Sequence, residues 1–223
     1  MKANLISSVR FSIRWFGPVM FGLAMSHAQA ANTGTNVYVG GGLSVVRASG
    51  LGGQVDGALA SQGITSASSA DGRSTSGNLK LGYRVNPNFA VEATYDRVGT
   101  LNVQSNISAP SADTAAGSWK AQGYGLHALG ILPIDGQWSV TGRLGLEQWN
   151  TKFNTASNAG GTTNVSTSSN HLGFALGAGA AYAISRNVDA TAELVHYTGV
   201  GDAGTTGRTG LNAFNLGLRY HFM

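Results

Sequence analysis

The chain contains no cysteine and few charged residues. Its 223 residues include no Cys, 4 Pro and only 11% charged residues. Without Cys there is no disulfide framework, thiolate zinc site, iron–sulfur cluster or cysteine nucleophile. The charged fraction is less than half of the about 25% typical of soluble domains, whereas glycine is about twice as frequent as usual. This composition excludes several enzyme classes and is not that of an ordinary cytoplasmic enzyme.

Long apolar runs are also missing. The longest run, Leu172–Ile184, is interrupted by Gly173, Gly177 and Gly179. It is too short for a membrane-spanning helix, which needs about 20 residues, but a tilted membrane strand needs only about 9–11. The run therefore fits a strand that crosses a membrane.

The first thirty residues have the pattern of a secretory signal. A basic stretch precedes an apolar run, Trp15–Met25, and Ala28-Gln29-Ala30 provides a small-x-small cleavage site. The alternative is a membrane-anchoring helix, for which this run is too short. We predict a signal peptide over 1–30 and one mature domain over 31–223.

Removal of the signal leaves the chain nearly neutral. Residues 31–223 hold 11 Lys plus Arg against 10 Asp plus Glu. A nucleic-acid-binding domain normally carries a clear basic excess. We therefore expect no nucleic-acid partner.

Alternation of apolar and polar residues dominates the mature chain. Side chains of a strand point alternately to its two faces, so period two indicates half-buried strands. In one example, Leu79, Leu81 and Tyr83 alternate with polar or small residues. Eight segments show the pattern: Asn36 to about Ser49, Gly77–Val85, Phe89–Gly99, Trp119–Leu132, Trp138–Glu147, Leu172–Ile184, Val188–Leu194 and Phe214–Phe222.

The connections between these segments alternate in length. Three are short turns, at 86–88, 133–136 and 185–187. Four are long and rich in Gly, Ser, Thr, Asn and Ala: Gly50–Ser76, Thr100–Gly117, Lys152–Ser169 and Val200–Gly210. An even number of antiparallel strands with this asymmetry is typical of an outer-membrane barrel. We predict an all-β fold, an eight-stranded antiparallel transmembrane β-barrel with short periplasmic turns and long extracellular loops.

A secreted soluble sandwich or lipocalin-like barrel also alternates, with its apolar residues inside. Two features favour the membrane barrel. Small residues opposite the apolar ones suit a narrow lumen. The second feature is a set of aromatic residues beside the short turns, where we expect them to face lipid in a periplasmic girdle: Tyr83, Phe89, Trp138, Tyr182, Tyr220 and Phe222.

Several short stretches recur in the order of a known family. They are Gly82–Pro87, Lys120–Gly123, Leu132–Ile134, Tyr182–Ile184, Gly201–Ala203 and Leu216–Phe222. In these stretches the chain resembles the OmpA-type transmembrane domain of Gram-negative outer membranes. The resemblance implies an integral outer-membrane location, lipopolysaccharide and outer-membrane lipid as neighbours, and delivery through periplasmic chaperones and the barrel assembly machinery.

The chain departs from that family at its carboxyl end. The assembly machinery reads a terminal aromatic residue, whereas here Phe222 is penultimate and Met223 is last. Full-length members continue into a periplasmic peptidoglycan-binding domain. This sequence stops where the barrel stops, so wall anchoring is not inferred from the resemblance.

Charged residues occupy the face that the barrel would turn inward. Charges are buried only when they are paired and hydrogen-bonded. We predict an interior ion network that plugs the lumen, formed by Lys80, Arg84, Glu92, Arg143, Glu147, Glu193 and Arg219. The alternative, a solvated charge near a barrel end, suits Asp189 and also Arg84. An eight-stranded barrel is barely wide enough for its own side chains, so we predict little conductance.

The charge switch of the resembling family is only partly present. Its glutamate falls on Glu92, but its lysine partner aligns with Leu129, and two further charged positions align with Ala181 and Thr191. The family's gating therefore does not transfer to this chain.

His196 and Thr198 are the best candidates for a catalytic pair of base and nucleophile. Two residues apart on a strand, they share one face and loosely resemble the His-x-Ser pair of outer-membrane lipid A deacylases. Threonine in place of serine, and the lack of a nameable acidic partner, count against it. The histidines show no metal-ligand spacing. We predict a non-catalytic barrel without a cofactor, whose loops contact host or phage ligands. The alternatives are a lipid A hydrolase using His196 and a porin for small solutes.

Overall fold

The structure is a computed structural model that describes residues 36–158 and 164–222. The predicted signal peptide lies outside the described residues. Within them the chain forms nine strands and one helix: β1 Val37–Ser49, α1 Leu51–Ala60, β2 Thr65–Ala70, β3 Arg73–Asn86, β4 Phe89–Ala109, β5 Asp113–Pro133, β6 Trp138–Ser157, β7 Val165–Ala183, β8 Val188–Val200 and β9 Thr209–His221. In these ranges no helix has the length and hydropathy needed to cross a membrane.

Eight of the strands close into an antiparallel barrel. With β2 left aside, each strand pairs with the next one along the chain, from β1–β3 and β4–β5 to β8–β9. Pairing of β9 with β1 closes the barrel. Closure leaves no barrel strand without a neighbour on either side, which a strand in hydrocarbon requires because no water is there to satisfy its backbone. The remaining strand, β2, lies outside the barrel and pairs only with the last part of β4.

The middle of the barrel exposes apolar side chains and buries charges. Leu216 is 55% exposed, whereas Glu92 and Arg219 are 1% and 5% exposed. This is the reverse of a water-soluble barrel, so the soluble alternative is wrong. We call the exposed set the apolar band: Val39, Leu43, Val45, Leu79, Leu81, Tyr83, Val85, Phe89, Tyr124, Leu126, Leu132, Ile134, Trp138, Val140, Leu144, Leu146, Leu172, Phe174, Leu176, Ile184, Leu194, Phe214, Leu216, Leu218, Tyr220 and Phe222.

Beyond the apolar band the inside and outside of β4 exchange character. Up to Asp96 the buried residues have even numbers and are mostly polar, whereas Leu101, Val103 and Ile107 are buried further along. The register shifts between Val98 and Leu101, where β4 has one residue more than β5. A one-residue bulge moves every following side chain to the other face. From there on β4 buries apolar residues and exposes polar ones.

Residues buried at this end form a second, apolar layer. We call it the apolar cap: Val46, Ala48, Leu51, Val55, Leu59, Val98, Leu101, Val103, Trp119, Ala121, Trp149, Phe153, Val165, Ala175, Val195, Tyr197, Val200, Leu211 and Ala213. Helix α1 contributes Leu51, Val55 and Leu59 to it. The end of the barrel opposite the short turns is therefore filled by side chains and a helix.

The long connections contain more regular structure than the sequence indicates. Most of Thr100–Gly117 belongs to β4 and β5, and part of Lys152–Ser169 belongs to β6 and β7. Gly50–Ser76 contains α1 and β2. The reason is that these strands leave the apolar band and turn Ser, Thr and Asn side chains to water, which gives them the composition of loops.

Candidate functional site in the barrel lumen

Arg143 lies at the centre of the charged lumen. Its Nη2 donates to Glu92 Oε2 at 2.6 Å and to Glu193 Oε1 at 3.0 Å. Its Nη1 donates to His127 Nδ1 at 2.8 Å, and Lys80 pairs with Glu193 from the other side. We call these five residues the Arg143 cluster. They come from β3, β4, β5, β6 and β8, so the cluster crosses the lumen from wall to wall.

The Arg143 cluster fixes the tautomer of the neutral His127 ring. Arginine is only a donor, so His127 Nδ1 must accept and the ring proton lies on Nε2. That nitrogen is 3.0 Å from Glu147 Oε2, to which Thr94 also donates. Glu147 is fully buried. The hydrogen-bonded chain therefore runs from Glu92 through Arg143 and His127 to Glu147.

A second group of charges lies nearer the short turns. Asp189 Oδ2 is 3.2 Å from Arg219 Nε and 2.8 Å from His221 Nε2. The Arg219 guanidinium stands 5.1 Å from the centre of the Tyr38 ring, and the Tyr38 hydroxyl donates to Glu92 Oε1 at 2.8 Å. Tyr38 thus connects this group to the Arg143 cluster.

The residues predicted to form one interior network fall into two groups, and Arg84 belongs to neither. Lys80, Glu92, Arg143 and Glu193 meet in the Arg143 cluster, and Glu147 joins it through His127. Arg219 pairs with Asp189, the residue that suited a solvated position. Arg84 is half-buried and forms no ion pair within the described residues.

Sequence reasoning missed Tyr38 as part of this site. Tyr38 is fully buried. It precedes Gly40 by two positions and so lies on the inward register of β1, which was the available signal. His127 was on the inward face of its segment, but nothing in the sequence indicated its partners.

Glycines lie opposite the large interior side chains. Gly82 pairs with Glu92, Gly125 with Glu147 and Gly177 with Arg143. A Cβ on Gly82 would overlap the Tyr38 ring, and one on Gly125 would overlap the Glu147 carboxylate. The high glycine content therefore makes room for the charges in a narrow lumen.

Hydrogen bonds hold the apolar cap in place. Trp119 is fully buried and its Nε1 donates to the Thr206 carbonyl at 3.1 Å. Asp56 of α1 accepts from the Ser66 hydroxyl at 2.7 Å and from the Ser68 amide at 3.1 Å. Helix α1 is therefore tied to β2, while Trp119 is tied to the β8–β9 connection.

The predicted girdle aromatics lie on the outer face near the short turns. Trp138 and Tyr182 are in ring contact at 4.8 Å, and Tyr220 and Phe222 at 5.2 Å. Next to them, Asp135 accepts the amide protons of Gln137 and Trp138. These hydrogen bonds hold the pKa of the Asp135 carboxyl below its usual value and fix the turn.

His196 and Thr198 are exposed and already hydrogen-bonded. His196 Nδ1 is 2.8 Å from Asn212 Oδ1. The Thr198 hydroxyl accepts from the Phe174 amide at 3.1 Å. Across residues 36–158 and 164–222, no three His, Asp or Glu side chains are grouped as metal ligands.

A closed barrel with an apolar exterior and charged lumen defines an integral outer-membrane β-barrel protein. The chain belongs to the outer membrane protein β-barrel domain family, whose model matches residues 16–222. The barrel is of the OmpA type. Its short turns therefore lie on the periplasmic side and the apolar cap on the extracellular side.

Individual proteins of known sequence or structure are similar to this chain. Outer membrane protein A of Klebsiella pneumoniae is 32% identical over 146 residues, which are 63% of this chain and 39% of that protein. The chain thus spans less than half of that relative's length. The crystal structure of Neisserial surface protein A has a TM-score of 0.56 at 16% identity, covering 86% of this chain and 100% of that chain. Ail of Yersinia pestis has a TM-score of 0.49 at 20% identity, covering 85% and 98%.

Proposed function

We propose that the protein is a non-catalytic, closed barrel that presents a rigid extracellular surface and conducts little. The observation that carries this is the Arg143 cluster, which crosses the lumen beneath the apolar cap. Host or phage ligands at the extracellular end, and assembly through periplasmic chaperones and the barrel assembly machinery, are part of the same proposal.

Two barriers in series support the closed state. A hydrated ion entering from the periplasm meets Arg143 and its two carboxylates, whose separation would leave buried charges unpaired. Behind them it meets Trp119, Trp149 and Phe153, all fully buried. An apolar constriction without room for water excludes ions. The same two layers count against a porin for small solutes.

Planar-bilayer recording tests the closed lumen directly. The refolded protein should give no stable open level, because neither layer can move without losing buried contacts. A variant without α1, residues 51–60, should remain nearly silent, because the Arg143 cluster persists. Large steady currents through the unaltered protein would refute the proposal.

The hydrolase alternative depends on His196. Hydrolysis by such a pair needs a hydroxyl within hydrogen-bond reach of the histidine and a third group that orients the ring. Here the ring contacts an amide, Asn212, and the Thr198 hydroxyl is bonded to the backbone of β7. These contacts support a structural role for both side chains.

Mass spectrometry of lipid A separates the two readings. Cells that express the protein and cells that express His196→Ala should have identical acylation, because neither form cleaves lipid A. An acyl chain lost with the unaltered protein and restored by His196→Ala would establish the hydrolase instead.

A further inference from the structure

Two buried carboxyl groups lie between the Arg143 cluster and the apolar cap. Asp96 is 5% exposed and Glu147 is fully buried. Asp96 is directly opposite Gly123, and a Cβ on Gly123 would overlap Glu147 Oε1. Directly opposed positions have Cβ atoms about 4.5–5.5 Å apart. Glu147 Oε1 therefore occupies the place that faces the Asp96 side chain, and no other side chain separates the two carboxyl groups.

The cations of the Arg143 cluster are already engaged. Lys80 and Arg143 balance the two carboxylates of the cluster. His127 is neutral, because its Nδ1 accepts a proton from Arg143. Within residues 36–158 and 164–222, Asp96 forms no ion pair. If Asp96 and Glu147 were both ionised, they would add two negative charges that these cations do not offset.

The walls around the pair supply no further cation. Asn78 of β3 is directly opposite Asp96, and Gly173 of β7 is directly opposite Glu147. From β8, Tyr197 contacts the ring of Trp149 at 5.2 Å, and its hydroxyl is uncharged at neutral pH. The side chains that Asn78 joins on β1 and β9 are also uncharged: Ser44 and Asn215. A buried charge without a partner is normally neutralised by a proton.

The hydrogen bonds of Glu147 indicate where that proton lies. Its Oε2 accepts from His127 Nε2 at 3.0 Å and from the Thr94 hydroxyl at 3.3 Å, as an ionised carboxylate does. Its Oε1 is buried without a hydrogen-bond partner among the described residues. A buried acceptor that lacks a donor is destabilising. A proton on Asp96, which faces Oε1, would supply the donor and remove one of the two charges.

We propose that Asp96 is a neutral carboxylic acid in the folded barrel and donates its proton to Glu147 Oε1. Two neighbouring carboxyl groups that hold one proton between them avoid the repulsion of two like charges. The pair is therefore a proton-binding site at the boundary between the Arg143 cluster and the apolar cap. Since an exposed aspartate is ionised at neutral pH, this proton binds on folding and is released on unfolding. The site goes beyond the closed lumen proposed above and does not depend on conductance.

Infrared spectroscopy in lipid vesicles detects the proton directly. A neutral carboxyl group has a C=O stretching band that a carboxylate lacks. The unaltered protein should show this band at neutral pH, and the band should shift when the aspartates are labelled with ¹³C. Asp96→Asn should abolish it. The matched control, Asp189→Asn, removes a carboxylate that is paired with Arg219 and should leave the band intact. A labelled, unaltered protein without the band would overturn the proposal.

The pH dependence of stability provides a second measurement. Above about pH 5 the carboxyl groups of the unfolded chain are ionised, whereas Asp96 of the folded barrel keeps its proton. The folded state then binds more protons than the unfolded state, so stability falls as the pH rises. Relative to Asp96→Asn, the folding equilibrium constant of the unaltered protein should fall by up to about tenfold per pH unit. A ratio of the two constants that does not change with pH would contradict the proposal.

A pair of substitutions distinguishes a neutral donor from an ionised group. Asp96→Asn keeps a donor towards Glu147 Oε1, so at neutral pH this variant should be at least as stable as the unaltered protein. Asp96→Leu has no donor and should lower the folding equilibrium constant by about fivefold or more. Equal losses for the two variants would mean that Asp96 acts as a carboxylate, and the proposal would fail.

A bound metal cation is the competing explanation for two carboxyl groups without a cationic partner. In that case the unaltered protein would become more stable as Na⁺, K⁺, Mg²⁺ or Ca²⁺ is raised at constant ionic strength, and the infrared band would be absent. We expect no such stabilisation. Heat-modifiable gel mobility verifies that each variant is folded. If the variants do not fold, the labelled band of the unaltered protein decides alone. A silent barrel without the band refutes only this inference, and a conducting barrel with it refutes only the closed lumen.

Discussion

Replacing Arg143 with methionine should destabilise the barrel by about 3–5 kcal/mol, the usual cost of leaving a buried charge without its partner. The substitution removes the donor to Glu92, Glu193 and His127 while keeping most of the side-chain volume. Glu193 retains Lys80, but Glu92 retains only the Tyr38 hydroxyl. Urea unfolding of the protein in lipid vesicles, followed by tryptophan fluorescence, measures the loss.

Two further variants isolate the charge effect. Arg84→Met removes a half-buried cation that forms no ion pair within the described residues, so it should cost at most about 1 kcal/mol. Adding Glu92→Gln to Arg143→Met should recover most of the lost stability, because the unpaired carboxylate is then gone. Equal losses for Arg143→Met and Arg84→Met would mean that the cluster does not hold the lumen together.

Trp119→Ala should loosen the extracellular end by about 3–5 kcal/mol, the range for truncating a buried aromatic. Trp119 is fully buried in the apolar cap, and its indole donates to the Thr206 carbonyl. Its loss leaves a cavity in the apolar cap, to which α1 also contributes, and an unpaired carbonyl at Thr206. Hydrogen exchange of the amides of residues 51–60 should accelerate accordingly.

The matched control is Trp138, which lies beside a short turn and is 49% exposed. Trp138→Ala should leave exchange in α1 unchanged, because the residue lies at the opposite end of the barrel. If α1 exchanges as fast in the unaltered protein as in Trp119→Ala, the helix is not anchored in the mouth, and the cap would be no barrier.

Strand positions and their faces were predictable because a barrel in lipid imposes period two on every strand. The three periplasmic turns were also readable, since Asn, Pro, Asp and Gly mark them. The contacts of Arg143 were not, because Glu92 and Glu193 are 51 and 50 residues away in the chain. Only the strand register brings them together, and alternation carries no information on which residues oppose each other.

The apolar cap could not be predicted from the sequence, for two physical reasons. One extra residue between Val98 and Leu101 reverses the two faces of β4, so the alternation appears to stop. Helix α1, Leu51–Ala60, contains Gly52, Gly53 and Gly57, which are poor helix formers. It is helical because Leu51, Val55 and Leu59 pack in the barrel mouth, and tertiary contacts of that kind are invisible in local sequence.

The exchange of faces along β4 also bears on how the protein reaches its final position. Strands that enter from the periplasm must carry their far ends through hydrocarbon, where each ionised side chain costs about 2.5–3.5 kcal/mol at mid-depth. From Thr100 to Ser118 the chain has a single ionisable residue, Asp113. The extracellular ends of β4 and β5 are rich in serine, threonine and asparagine, so they can face water once the barrel is inserted. Because they carry almost no charge, their passage through the hydrocarbon costs little.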